Sequence, residues 1–210
     1  DDFVAKPFDV EHLKARVRSL TRLKRYTDEL DSAESVIVSL AATIEARDPY
    51  TEGHCDRLAK YAVSLGAALG LGSDDLAALK RGAFLHDVGK IGIPDSLLLK
   101  AEPLTPDEYA AIKLHPEIGE RLLGDLRSLA PVRPIVRHHH ERLDGSGYPD
   151  RLSGADVPLL AHIVSIVDAY DAMTTKRPYR PAMSRAAAIM ELRKDVARGR
   201  MSRDLVEMFV

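Results

Sequence analysis

Histidine and aspartate recur inside apolar runs of this chain, and any fold it adopts has to accommodate them. His86 and Asp87 follow Ala83-Phe84-Leu85, with Lys90 within one turn. His138, His139 and His140 follow Ile135 and Val136 and precede the turn-rich stretch Asp144-Gly145-Ser146-Gly147-Tyr148-Pro149. Asp168 follows the run Ile163-Val164-Ser165-Ile166-Val167. Such groups are costly to bury unless something pairs with them. The fold must bring these clusters to one another or to a common partner, and a dinuclear metal centre is the economical solution.

The rest of the chain is compatible with one good core. Apolar residues make up 45% of the 210 and charged residues 30%, an ordinary soluble balance. A net charge of −2 creates no field that calls for nucleic acid or a membrane, and the lack of Trp argues against a base-stacking surface. The single cysteine, Cys55, excludes an intramolecular disulfide and agrees with a reducing, cytoplasmic setting. No apolar stretch approaches membrane-spanning length, and Asp1-Asp2-Phe3-Val4 is not a signal peptide.

Periodicity predicts an all-α chain. Residues 10–47 contain neither Gly nor Pro, and Leu13, Val17, Leu20, Leu23, Leu30, Ile37, Leu40 and Ile44 form a helical seam suited to a two-stranded coiled coil. The basic run 14–25 reads as a solvated face. A second helix is expected over 53–69, with His54, Leu58 and Leu65 on one stripe. Gly70 and Gly72 end it, and Ser73-Asp74-Asp75 caps a third, expected to run to about Val88 and stop at Gly89. Residues 94–106 read as irregular, and Thr105-Pro106-Asp107-Glu108 as a helix start. A short helix carries Ile135, Val136 and the histidines, 144–156 is a loop, and helices cover 159–174 and 186–197.

Each cluster admits a bland reading. His86-Asp87 could be a capping Asp beside a structural His. Asp168 could pair with an arginine, although Asp171 three residues on shares its face. A Gly-rich loop is often only a turn. His54 and His115 would each pass as a core or capping residue if they stood alone. Glu141 is placed to orient one of the neighbouring imidazoles. His12 is assigned to the surface, His162 to a supporting role, and Cys55 to packing.

Taken together, the motifs resemble the HD-GYP family. They are Thr51-Glu52-Gly53-His54 with Arg57, His86-Asp87-Val88-Gly89-Lys90, His115-Pro116-Glu117-Ile118-Gly119, His139 to Pro149, Val167 to Thr174, and Arg177-Pro178-Tyr179-Arg180. They occur in the family's order and cover about 35–210. The resemblance implies an HD-like helical bundle that hydrolyses cyclic di-GMP to linear pGpG or GMP with two divalent ions, Fe preferred and Mn or Zn possible. His54, His86, Asp87 and Asp168 would hold one ion. His115, His139 and His140 would hold the other, with Asp87 bridging. Lys90, Arg177 and Arg180 would hold phosphates, Tyr148 would lie near the substrate, and Asp171 would orient or deprotonate the attacking water or protonate the leaving oxygen. Some members carry a Glu four residues before the first His for a third metal. Tyr50 stands there, so two ions are expected.

Residues 1–34 resemble the last strand, Lys-Pro turn and final helix of a response-regulator receiver domain, carried by Asp1-Asp2-Phe3-Val4-Ala5-Lys6-Pro7-Phe8. That implies an upstream phosphoacceptor, a sensor kinase as partner, and a homodimer through the long helix. Two rival readings are a non-catalytic nucleotide- or partner-binding module and a hydrolase of another cyclic dinucleotide.

Overall fold

With no Gly or Pro to interrupt it, the N-terminal segment runs as one helix, α1 (Val10–Glu45). The computed structural model describes residues 10–45, 53–100, 102–176 and 181–210. The receiver-like strand and turn, Tyr50, Arg177 and Arg180 therefore lie outside the described residues. The chain divides into two units, Asp1–Leu40 and Ala41–Val210. In the first, Val17, Leu20 and Leu23 of the expected seam are exposed.

The second unit is helical, and its order follows the sequence closely. After α2 (His54–Ala68) and α3 (Ser73–Leu85), a 3₁₀ turn at Val88–Gly92 leads to α4 (Asp95–Leu98), α5 (Pro106–Ile112) and α6 (His115–Leu123). Then come α7 (Arg133–His138), α8 (Leu159–Thr174), α9 (Arg185–Ala197) and α10 (Arg203–Phe209). Among the described residues the only β pairing is one bridge, Asp144 with Ser153, inside the glycine-rich loop.

The centre is α8. It is apolar on most sides, and a helix of that kind is stable only when other helices surround it. Ile163, Val164, Ile166 and Val167 have no exposure. Each contributes roughly 1.5–3 kcal/mol by leaving water. Leu58 and Ala62 of α2, Leu79 and Ala83 of α3, Ile135 of α7, and Leu192 of α9 complete this core. His162 is buried here too, its Nε2 accepting the Ser202 N–H at 3.0 Å.

Several local expectations are corrected. Helix α3 stops at Leu85 rather than near Val88, and its N-cap is Gly72 with no side-chain cap, so Ser73 lies inside the helix. The stretch expected to be irregular contains α4, and α10 is an additional helix. Thr105 does form the expected start, a capping box with Glu108, with Pro106 in the first turn.

Candidate metal centre

The expected ligands converge. Asp87, His115, His139 and His140 offer one ligand atom each within 4.8 Å of one another, and His54, His86 and Asp168 do the same. Imidazoles supply most of the donors, and each is presented by a helix end. His54 is the first residue of α2, His86 the C-cap of α3, His115 the first residue of α6, and His139 the C-cap of α7. His54, His86, His115 and His139 are all buried.

Their tautomers follow from their partners. Nδ1 of His86 lies 2.9 Å from the Ala83 carbonyl, that of His115 2.9 Å from Ile112, and that of His139 2.8 Å from Val136. A carbonyl can only accept, so each Nδ1 carries a proton, and in the neutral ring each Nε2 presents a lone pair. His54 does the same through a carboxylate, its Nδ1 donating to Asp171 Oδ2 at 2.7 Å. Its Nε2 then faces Asp168 Oδ1 at 3.4 Å.

The resulting site fits cations. The Nε2 atoms of His115 and His139 face each other at 3.4 Å, two acceptors with no proton between them. Nε2 of His86 is buried without a hydrogen bond. Asp87 stands between the clusters, with Oδ2 3.3 Å from His86 Nε2 and Oδ1 3.1 Å from His115 Nε2 and 3.9 Å from His139 Nε2. Imidazole and carboxylate donors without thiolate suit Fe, Mn or Zn.

The electrostatics agree with that donor set. Burial works against ionisation of Asp87, but the Lys90 ammonium and His86 outweigh it and hold the carboxyl well below its usual range. Burial, reinforced by the neighbouring imidazoles, pushes His139 well below an ordinary histidine and His140 down to about 3. Burial also disfavours the charged form of His86, yet Asp87 and then Asp168 raise it to about 9. The same negative field draws a cation. Metal ligands must be deprotonated carboxylates and neutral imidazoles, and most of these groups are already so.

The break after Leu85 explains how His86 and Asp87 reach one place. Helical neighbours point about 100° apart. Here Asp87 leaves the helix with φ −100° and ψ 8°, and the following 3₁₀ turn folds Lys90 back so that Nζ is 2.5 Å from Asp87 Oδ2. That turn packs directly on α6. A Cβ on Gly89 would lie 1.8 Å from the His115 carbonyl oxygen, so only glycine fits. Tyr148 stacks on His140, ring centroids 4.7 Å apart at 28°.

Two expected roles move. Asp171 is 2% exposed, and its oxygens receive His54 Nδ1 and the Arg57 guanidinium at 2.6 and 2.9 Å. Burial would raise its pKa, but those two donors hold it at about 2. It sits behind His54, accepting the ring's Nδ1–H and holding the imidazole in place. Glu141 does not orient an imidazole. Buried at 1% exposure, it accepts the backbone N–H groups of Asp150 and Leu152 at 2.7 and 3.1 Å and pins the glycine-rich loop. His138 lies outside the clusters, its Nε2 2.9 Å from Asp150 Oδ2. Arg57 is a partner of Asp171 that the motif contained without revealing the contact. Its place one turn after His54, on the same face, was the available signal.

Residues 38–205 match the HD domain family. The chain belongs to that family. This HD domain is 37% identical over 212 residues to the cyclic di-GMP phosphodiesterase response regulator RpfG of Xanthomonas campestris pv. campestris, an alignment covering 91% of this chain and 56% of that protein. It is 36% identical to 3'3'-cGAMP-specific phosphodiesterase 3 of Vibrio cholerae, over 77% of this chain and 36% of the relative. Among solved structures it resembles Bd1817, an HDG"Y"P protein from Bdellovibrio bacteriovorus, with a TM-score of 0.61 at 26% identity, covering 74% of this chain and 50% of that one. The chain thus spans about half or less of the length of these relatives. No helix among the described residues is long and apolar enough to cross a membrane.

Proposed function

We propose that the two clusters hold two divalent ions and that this HD domain hydrolyses a phosphodiester bond of a cyclic dinucleotide, with cyclic di-GMP the first substrate and linear pGpG or GMP the product. The observation that carries this reading is the placement of Asp87, whose two oxygens face different clusters. His54, His86 and Asp168 would hold one ion and His115, His139 and His140 the other, with Asp87 shared. Iron is preferred over Mn or Zn through the HD-GYP resemblance. Ions there would supply Lewis acidity, lowering the pKa of water and offsetting charge on the phosphoryl oxygens. The cyclic di-GMP and cGAMP phosphodiesterases among the relatives support the substrate class.

The chain's own residues set the conditions for that chemistry. Asp171 takes the Nδ1 proton of His54 in a hydrogen bond and so fixes which nitrogen faces Asp168. Lys90 keeps Asp87 ionised and leaves positive charge at the edge of the clusters, where a phosphate would bind. Burial raises the Tyr148 hydroxyl above its ordinary range, so it keeps its proton and can donate. Arg177 and Arg180 are assigned to the phosphates by the resemblance alone. The response-regulator relative supports an upstream receiver domain with its kinase, and the exposed Val17, Leu20 and Leu23 support a homodimer through α1.

Protein purified without oxygen should contain two ions per chain by elemental analysis. After Fe or Mn loading it should open cyclic di-GMP. An Asp87→Ala protein turning over at the wild-type rate would remove the mechanism.

A further inference from the structure

We propose that a pocket behind the first cluster is a regulatory site for a small aromatic anion, a planar ring bearing a carboxylate or phosphate; its coupling to the clusters rests on the two-ion reading above. The pocket encloses about 490 Å³ among α2, α8, the first turns of α9 and the end of α10. That volume falls within the range of small-ligand sites. Asp171 lines the pocket and also receives His54 Nδ1, while His54 Nε2 faces Asp168. One carboxylate therefore stands between the pocket and the imidazole of the first cluster.

Three rings build one wall. Tyr61, Tyr170 and Phe209 meet pairwise edge to face, with centroids 5.8, 5.9 and 5.1 Å apart. Aromatic pairs favour that arrangement. Each ring comes from a different helix, so the core fixes the wall rather than a loop. Tyr170 is 7% exposed, yet among the described residues neither its hydroxyl nor that of Tyr61 has a hydrogen-bond partner. A buried phenol normally finds one. Both residues line the pocket, where a ligand can supply it.

The charges select an anion. Aromatic rings alone would also suit an organic cation, but Arg57 and Arg185 share these walls. The acidic side chain among them, Asp171, is 2% exposed and already receives His54 Nδ1, Arg57 Nε and the Thr175 hydroxyl at 2.7, 2.6 and 3.3 Å. Arg185 is exposed, and among the described residues its side chain has no hydrogen bond or ion pair. Arg57 Nη2 is shared between Asp171 Oδ2 at 2.9 Å and Thr175 Oγ1 at 3.2 Å. An anion in the pocket competes for that guanidinium, and Arg57 then holds Asp171 less firmly. Because Asp171 fixes the His54 ring, occupancy lowers the affinity of the first cluster for its ion. The coupling is reciprocal, so the loaded centre binds the anion more weakly by the same factor.

The test is calorimetric titration of the full chain, first free of metal. GMP and 4-hydroxybenzoate are the probes and separate a nucleotide from an aryl carboxylate; inorganic phosphate and benzamide are the ringless and uncharged controls. At least one probe should bind once per chain with a dissociation constant below about 1 mM, and both controls at least about tenfold more weakly. Arg185→Gln should weaken the probe about tenfold and Tyr170→Phe about threefold. Lys90→Ala, which removes the cation beside Asp87, should bind the probe as the wild type does. Arg185 is exposed and Tyr170→Phe deletes only a hydroxyl without a protein partner, so both variants should melt with the wild type. With the probe at saturation, Mn retention against a chelator should fall about fivefold or more. Binding by neither probe, controls that bind as tightly, or a loss that falls on Lys90→Ala instead of Arg185→Gln and Tyr170→Phe would overturn the site. Unchanged Mn retention at saturation would overturn its regulatory role. A chain that takes up no Mn yet binds the probe through Arg185 and Tyr170 would remove the two-ion reading, and the coupling with it, while the site would stand.

Discussion

Replacing Gly89 with alanine tests whether the contact between the 3₁₀ turn and α6 builds the proposed metal centre. The added Cβ would lie 1.8 Å from the His115 carbonyl oxygen, 2.5 Å from the Gly119 nitrogen and 2.8 Å from the His115 carbonyl carbon. All three are backbone atoms, so no rotamer change relieves the clash. To reach even 3.0 Å the turn and α6 must separate by about 1.2 Å at this point. The turn carries Lys90 and follows Asp87, and α6 begins at His115, so the movement pulls Asp87 Oδ1 away from His115 Nε2, now 3.1 Å apart. A displacement near 1 Å is worth about 100-fold in rate for a reacting geometry. Overpacking of this kind costs typically about 1–3 kcal/mol in stability. The assay is threefold: thermal melting, ions bound per chain, and turnover of cyclic di-GMP. Gly89→Ala should melt several degrees lower and lose turnover about 100-fold, with loss or weakening of one ion. A variant that melts, binds metal and turns over as the wild type does would refute the claim that this close approach sets the site.

Other substitutions probe the supports one at a time. Asp171→Asn should weaken metal retention against a chelator about 10–100-fold, because the amide no longer fixes the His54 ring and leaves Arg57 without its carboxylate; unchanged retention would argue against Asp171 as its anchor. Glu141→Gln puts an amide N–H against one of the two N–H groups it now accepts, and should cost roughly 1–3 kcal/mol in chemical denaturation while raising KM as the loop loosens. Burial lowers His162 from 6.5 to about 4. The unfolded chain therefore binds the proton first as pH falls, so its contribution is intact above about 6.5 and declines by roughly 3 kcal/mol on the way to about 4. His162→Gln, which keeps an acceptor for the Ser202 N–H, should flatten stability across that interval relative to the wild type; parallel curves would contradict the assignment.

What the sequence disclosed, and what it withheld, follows from where the signal resides. Helix α8 has the boundaries its pattern predicts because a long apolar run between Pro158 and Thr175 leaves few alternatives. The end of α3 was not legible. Its periodicity continues to Val88, but His86 and Asp87 serve the site, and the chain leaves helical geometry to place them. Helices α4 and α10, four and seven residues long, are too short for a period to register. The ligands were conspicuous because imidazoles and carboxylates in apolar segments demand partners. The division of labour between Asp168 and Asp171 was hidden because three-residue spacing puts both on one face. Only the tertiary position of Arg57 and His54 shows that Asp171 points behind the ring while Asp168 points ahead of it.

The recurring Nδ1 bond explains why these histidines sit where helices stop. The last carbonyls of a helix lack an intrahelical donor. Ala83 lies near the end of α3, Ile112 ends α5, and Val136 lies near the end of α7, and each receives the Nδ1–H of the histidine three residues later. At Ile112 the need is sharpest, because the residue four places on is Pro116, which has no N–H to offer. One hydrogen bond thus closes a helix end and fixes a tautomer, and the ring's geometry then sends the Nε2 lone pair into the site. Local helix termination and the presentation of Nε2 are the same event here, so a single imidazole lost from this set removes a donor from a helix end as well as a donor atom from the proposed ion site.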